Sequence, residues 1–306
     1  MRGMSGFSDI TVVSVTGWQP AAAGAALSVQ LSAHELPGSR ALLISPERPA
    51  LLPPWVRHVP VRPFGYMEYS VFMLYALHQF IDTDYALVVQ DDGWVVSGRH
   101  WRQAYFDCDY IGAPVHLARV RQKSGAARFV GGFGWCAEAL KPDVLIEPVF
   151  NGGFSLRSQR LMRAPRALGL SLEIPPPLAC DVSDPAMQLQ WENDVVLEDV
   201  WLCIGARAAL EAHGVRFATL ETARGFAIEH ASPLLHDGYP LQTIVGHHSK
   251  FRKIVSIGGE MPTLRYTIPR AASDSIFGEH AIQRMFRSHG WRIQWPGGMP
   301  GARGLS

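Results

Sequence analysis

The chain has 306 residues, of which 47% are hydrophobic and only 18% charged, against roughly 25% charged in an average soluble protein. That balance excludes a disordered chain and supplies ample material for a buried core. Twenty-eight basic and 27 acidic residues leave a formal charge of +1, which removes the electrostatic argument for a nucleic-acid partner.

The N-terminal part alternates short apolar runs with helical patterns. Ile10 to Val15 reads as a buried strand followed by a turn at Gly17, and Ala22 to His34 as a helix. Ala41 to Ser45 and Val56 to Val61 read as further strands. Glu68 to Ile81 reads as a helix, with Val71, Leu74, Tyr75 and His78 at helical spacing. Tyr85 to Val89 is an unbroken apolar strand, as in a parallel sheet covered on both faces. This order predicts an α/β domain: a Rossmann-like mixed, mostly parallel sheet with helices on both faces. Such sheets bind ligands beyond the carboxyl ends of their strands, where Asp91 and Asp92 fall.

Beyond Gly93, His100 to Phe106 reads as a short helix and Tyr110 to Ala113 as a strand. His116 to Gly134 reads as a loop or lid. Phe150 to Leu156 reads as a strand and Arg157 to Leu168 as a helix. Four prolines make Ile174 to Met187 a loop. Asn193 or Asp194 is a candidate cap for a helix running to about Ala212. Val215 to Leu220 and Gly225 to Glu229 read as short strands. Residues 1–255 hold the patterned domain, and 256–306 read as a weakly patterned appendage. No apolar run has the 18 or so residues of a membrane helix. Met1 to Asp9 lacks a signal-peptide pattern. Cys108, Cys136, Cys180 and Cys203 form no Cys-x-x-Cys pair and read as reduced thiols. The expectation is a cytoplasmic protein with no transmembrane segment.

Four segments carry candidate chemistry. Gln90-Asp91-Asp92-Gly93 sets carboxylates at a strand end, suited to a divalent cation and a diphosphate, or is a solvated turn. Glu198-Asp199 lies in an apolar run, where desolvation would prepare a general base, or forms an acidic first helical turn. Gly246 to Lys253 concentrates His247, His248, Lys250, Arg252 and Lys253, for a metal shell or for phosphate, or is a basic surface turn. Asn151 to Ser158 offers backbone N–H groups and an amide to sugar hydroxyls, or is a structural turn.

Taken in order, these segments resemble a known family. Val89 to Trp94 (VQDDGW), Asp109 to Pro114 (DYIGAP), Asn151 to Ser158 (NGGFSLRS) and Glu198 to Val200 (EDV) are similar to a family of domains of uncharacterised function classed as glycosyltransferase-like. That family has the GT-A type of nucleotide-sugar fold, and the resemblance spans roughly Ile10 to His248. It implies a divalent ion, manganese or magnesium, held mainly by Asp92 with Asp91 beside it, and Gln90 as a weaker partner. His248 would be a further ligand, with His247 its rival. Asp199 would act as base on the acceptor hydroxyl, with Glu198 beside it. Gln90, Gly93, Asn151, Gly152, Gly153, Arg157, His247 and Lys250 would face the donor. Ser124 to Trp135 would form a lid.

The expected activity is a metal-dependent, hexosyltransferase-like glycosyl transfer from a nucleotide-sugar to a glycan or other hydroxyl acceptor. The alternatives are a non-catalytic carbohydrate- or nucleotide-sugar-binding relative and a sugar-phosphate nucleotidyltransferase. The latter lacks its Gly-rich basic signature here, because the first strand is followed by Thr16-Gly17-Trp18-Gln19-Pro20.

Overall fold

The computed structural model describes residues 6–181, 188–190, 197–258 and 261–296. In chain order, β1 (Ile10–Val15), α1 (Gln19–Glu35), β2 (Arg40–Ser45), β3 (Arg57–Pro60), α2 (Tyr66–Tyr75) and β4 (Tyr85–Val88) build one half of a sheet. After β5 (Gly93–Val95), β6 (Tyr110–Gln122), β7 (Ala127–Val130), α3 (Trp135–Glu138) and β8 (Val144–Ser158) supply the other half, and α4 (Gln159–Ala167) follows. The seven strands lie in the order β3-β2-β1-β4-β8-β6-β7. β3, β2, β1 and β4 pair in parallel; β8, β6 and β7 each pair antiparallel to the strand before them in that order.

The unbroken apolar runs have a simple cause. Val13, Val15, Leu42, Ile44, Ala86 and Val88 pack with Tyr69 and Met73 of α2 on one face. The alternate residues Val12, Leu43 and Leu87 pack with Ala25, Ala26 and Val29 of α1 on the other. Both faces are covered, so both sets of alternate positions are mainly apolar, with only the small hydroxyl residues Thr11, Ser14 and Ser45 buried among them.

The rest of the described chain forms three smaller sheets and several short helices. β9 (Ala179–Asp181) pairs with β10 (Gln188–Gln190). α5 (Glu198–Val200) continues through a π-helical stretch at Trp201–Gly205 into α6 (Arg207–Ala212). α7 (Leu220–Phe226), β11 (Ala227–Ile228), α8 (Pro233–His236) and β12 (Gly246–His248) follow, with β12 between β11 and β5 in a small sheet. β13 (Arg252–Ser256), β14 (Thr263–Tyr266), α9 (Arg270–Asp274), α10 (Glu279–Ser288) and β15 (Arg292–Gln294) complete the described chain. Ile254, Leu264, Ile282, Met285, Phe286 and Trp291 form one buried cluster with Trp94 and Ile228. No helix of the described residues is long and apolar enough to cross a membrane.

Several expectations are corrected. The segment His116 to Gly134 is no loop or lid: β6 runs on to Gln122 and turns into β7. Ala118 and Val120 point inward, while Arg119 and Arg121 alternate with them and pair with Glu147 of β8. Val215 to Leu220 makes only a single bridge, Phe217 to Tyr110. Gly225 and Phe226 end a helix that Thr219 caps by accepting the Thr222 N–H at 3.2 Å. The proline segment contains the short β9. The tail carries α10, with Ile282, Met285 and Phe286 at helical spacing. Asn193 and Asp194 lie outside the described residues.

Candidate functional site

The site is built on a tight turn. Gln90 and Gly93 exchange two backbone hydrogen bonds of 2.9 and 3.0 Å, which leaves Asp91 and Asp92 at the tip between β4 and β5. The segment after β12 clamps this tip: the Asp92 carbonyl accepts the Ser249 N–H at 2.8 Å and the Asp91 carbonyl the Ile254 N–H at 3.1 Å. Antiparallel pairing sets His248 opposite Gly93 and His247 opposite Trp94.

Strand alternation then separates the two histidines. His248 Nε2 lies 3.3 Å from Asp92 Oδ1 and 3.2 Å from Gln90 Oε1. His247 is fully buried against the rings of Trp94 and Phe286, at 4.1 and 4.8 Å between centroids. Burial, with Arg252 next, holds its pKa well below the usual imidazole value. His247 is a core residue. Lys250 lies by the Phe251 ring and makes no contact with the acidic turn. Lys253 takes that place, 2.8 Å from Asp91 Oδ1 and 3.1 Å from Asp92 Oδ2. Burial opposes ionisation of Asp92, but His248 and Lys253 outweigh it and hold the carboxyl well below its ordinary range. Asp91 is shifted the other way, by burial and by the neighbouring Asp92 charge.

Gly152 and Gly153 bring β8 against this cluster. A Cβ on Gly153 would collide with Gln90 Oε1 and the His248 ring, and one on Gly152 with Glu198. Only glycine permits that approach. Asn151 Oδ1 accepts the Gly153 N–H at 2.7 Å, while its amide donates to Glu229 Oε2 at 3.0 Å. Arg157 is buried below, donating to Glu198 Oε1 at 3.0 Å and to the Gly152 carbonyl at 3.2 Å. Glu198 and Arg157 thus hold the floor of the site and satisfy each other.

Asp199, next in the chain, is half-buried and has no cationic partner among the described residues. Oδ2 accepts the Gly152 N–H at 3.0 Å and Oδ1 the Val200 N–H at 2.7 Å. Burial, then the Glu198 charge, push its pKa up to about 7 against those two donors. A carboxylate so placed is suited to take a proton near neutral pH.

A cleft of about 710 Å³ opens beside the turn, at the carboxyl ends of β1 and β4 and the start of α1. Trp18, Phe64 and Tyr66 line it together with Thr16, Gln90 and Asp91. The size and the aromatic lining suit a ligand of nucleotide dimensions.

Among the described residues, no group of three His, Cys, Asp or Glu converges on one point as metal ligands do. Asp92 and His248 are two such groups, and Gln90 Oε1 is the further protein donor beside them; water or phosphate oxygens would fill the remaining positions of a divalent ion. Neighbouring oxygens on an octahedral ion lie roughly 3 Å apart, and the separations of His248 Nε2 from Gln90 Oε1 and Asp92 Oδ1 are of that size. Asp92 Oδ1 is buried and has no well-formed hydrogen bond. These three donors fit such an ion.

The structure therefore brings together Gln90, Asp91, Asp92, Gly93, Asn151, Gly152, Gly153, Arg157, Glu198, Asp199 and His248. It leaves His247 and Lys250 out. Glu229 belongs to the cluster although sequence reasoning assigned it no role, and Lys253, expected with Lys250 and Arg252 to meet phosphate, faces the two carboxylates instead. The available signal for Lys253 was its strand, since a cation on β13 beside buried Ile254 must face the opposite side. A family model described as "Protein of unknown function (DUF5672)" matches residues 58–243. That span holds both acidic pairs, the Asn151–Arg157 segment and Glu229, and ends before His248 and Lys253. No curated protein and no solved structure matches the chain.

Proposed function

The chain belongs to the DUF5672 family, and from the geometry of its site we propose that it is a metal-dependent glycosyltransferase of GT-A type. The observation that carries this reading is the convergence of two unlike carboxylates on one glycine-floored site. Asp92 faces Gln90 Oε1 and His248 Nε2, and Asp199 stands on the other side of Gly152 and Gly153 with its pKa raised to about 7. A nucleotide-sugar donor would lie in the cleft, its base against Trp18 and Tyr66 and its diphosphate toward the acidic turn. A divalent cation on Asp92, Gln90 and His248 would offset charge on the leaving diphosphate. Asp199 would take the proton of the acceptor hydroxyl, and Asn151, tied to Glu229, would help position the sugar.

The test is a thermal-shift screen of the full chain against nucleoside diphosphates, with and without Mn²⁺, followed by turnover of the matching nucleotide-sugar. A ligand present well above its Kd stabilises a fold by a few kcal/mol. The expected result is a Mn²⁺-dependent shift for one nucleotide that Asp92→Ala abolishes. A folded protein that responds to no nucleotide would overturn the reading.

A further inference from the structure

Lys253 occupies a position that a cation-binding turn does not require. Its ammonium bridges Asp91 Oδ1 and Asp92 Oδ2, while the other Asp92 oxygen faces His248 and Gln90. One buried carboxylate thus serves two positive partners, an ammonium on Oδ2 and the candidate cation position on Oδ1. Like charges sharing a carboxylate out of water repel strongly, because little solvent lies between them to screen the pair. The main chain cannot relieve this, since Ile254 N–H is bonded to the Asp91 carbonyl at 3.1 Å. The side chain can. It is 36% exposed, and it also lines a second, open cavity of about 620 Å³ with Leu27, Arg265 and Thr267. The ammonium has somewhere to go.

We propose that Lys253 is a displaceable counter-cation. It holds the Asp91–Asp92 pair together while no divalent ion is bound, and it swings toward the second cavity when one binds. The proposal rests on the reading that Asp92, Gln90 and His248 take a divalent ion. Its consequence is an ion affinity set low by competition from within the chain.

Calorimetric titration of Mn²⁺ into the wild-type chain, Lys253→Met and Lys253→Arg tests it, without reference to turnover. Lys253→Met should bind at least roughly tenfold more tightly, and Lys253→Arg within about threefold of wild type. In the unaltered chain, reductive methylation read by mass spectrometry should label Lys253 several-fold faster at saturating Mn²⁺, with Lys123 and Lys141 unchanged. Equal affinities in wild type and Lys253→Met, with labelling unmoved, would overturn the role of Lys253 and leave the cation reading standing. Absence of Mn²⁺ binding in all three proteins would overturn both. Should Lys253→Met fail to fold, the labelling of the unaltered chain decides.

Discussion

The chain carries two adjacent acidic pairs, Asp91–Asp92 and Glu198–Asp199, and surrounds them differently. The first pair faces basic side chains from a distant part of the sequence: Lys253 touches both carboxylates and His248 touches Asp92. Asp92 is held ionised although it is buried. In the second pair the Arg157 guanidinium bonds Glu198. Asp199 is left with two backbone N–H groups and an anionic neighbour, and its pKa rises to about 7. Asp92 is thus held low by Lys253 and His248, whereas Asp91 and Asp199 are each pushed up by burial and by the carboxylate beside them.

That contrast can be broken from either side. The largest expected effect is on the first pair: Asp92→Asn should weaken Mn²⁺ binding by more than about 100-fold, since the charged donor is lost, as read by calorimetry. Next, Asp199→Asn should lower kcat by about 10²–10⁴-fold with donor affinity little changed. In the wild type kcat should climb as pH rises through about 7, because Asp199 accepts a proton only when ionised; a profile that is flat there would remove it as base.

A third test takes the cation from the second pair. Arg157→Met leaves Glu198 buried and unpaired, and should cost about 3–5 kcal/mol in urea unfolding. The double variant Arg157→Met with Glu198→Met should recover most of the loss. The smallest effect sharpens the comparison. A carboxyl whose pKa is raised on folding binds its proton more tightly in the folded state. Its contribution to stability is present at low pH and is lost as pH rises through about 7. Asp199→Asn, which mimics the protonated form, should therefore be more stable than wild type at pH 8, by about 1 kcal/mol after allowance for solvent screening. The advantage should shrink as pH falls toward 5, and melting curves at the two values check the sign.

Much of this was legible in the sequence where one physical rule acted alone. Tyr85 to Val89 announced a doubly covered strand because both of its faces are buried. Asn151 to Arg157 announced a close approach through its glycine pair. Legibility failed where tertiary pairing decided the outcome. The alternation of Ala118 and Val120 with Arg119 and Arg121 is too short to mark His116 to Gln122 as strand by itself, and Glu147 on a partner strand is what balances the two arginines. His247 and His248 are chemically alike in sequence, and only the register of β12 against β5 sends one into an aromatic core and the other to Asp92. Arg252 and Lys253 divide in the same way: Arg252 is buried and bonded to Glu279, whereas Lys253 faces the acidic turn.

The sequence distance between the acidic turn and its cations has a consequence for how the protein is made. Lys253 and Asp91 are 162 positions apart, and His248 and Gln90 are 158 apart. During synthesis the parallel half of the sheet can form long before His248 or Lys253 leaves the ribosome. Until then the nascent chain carries two neighbouring carboxylates with neither of these basic partners. Contacts of such long range are late to form and slow to find. Assembly of this site should therefore mark the end of folding, with the earlier core in place while the turn still waits for its counter-charges.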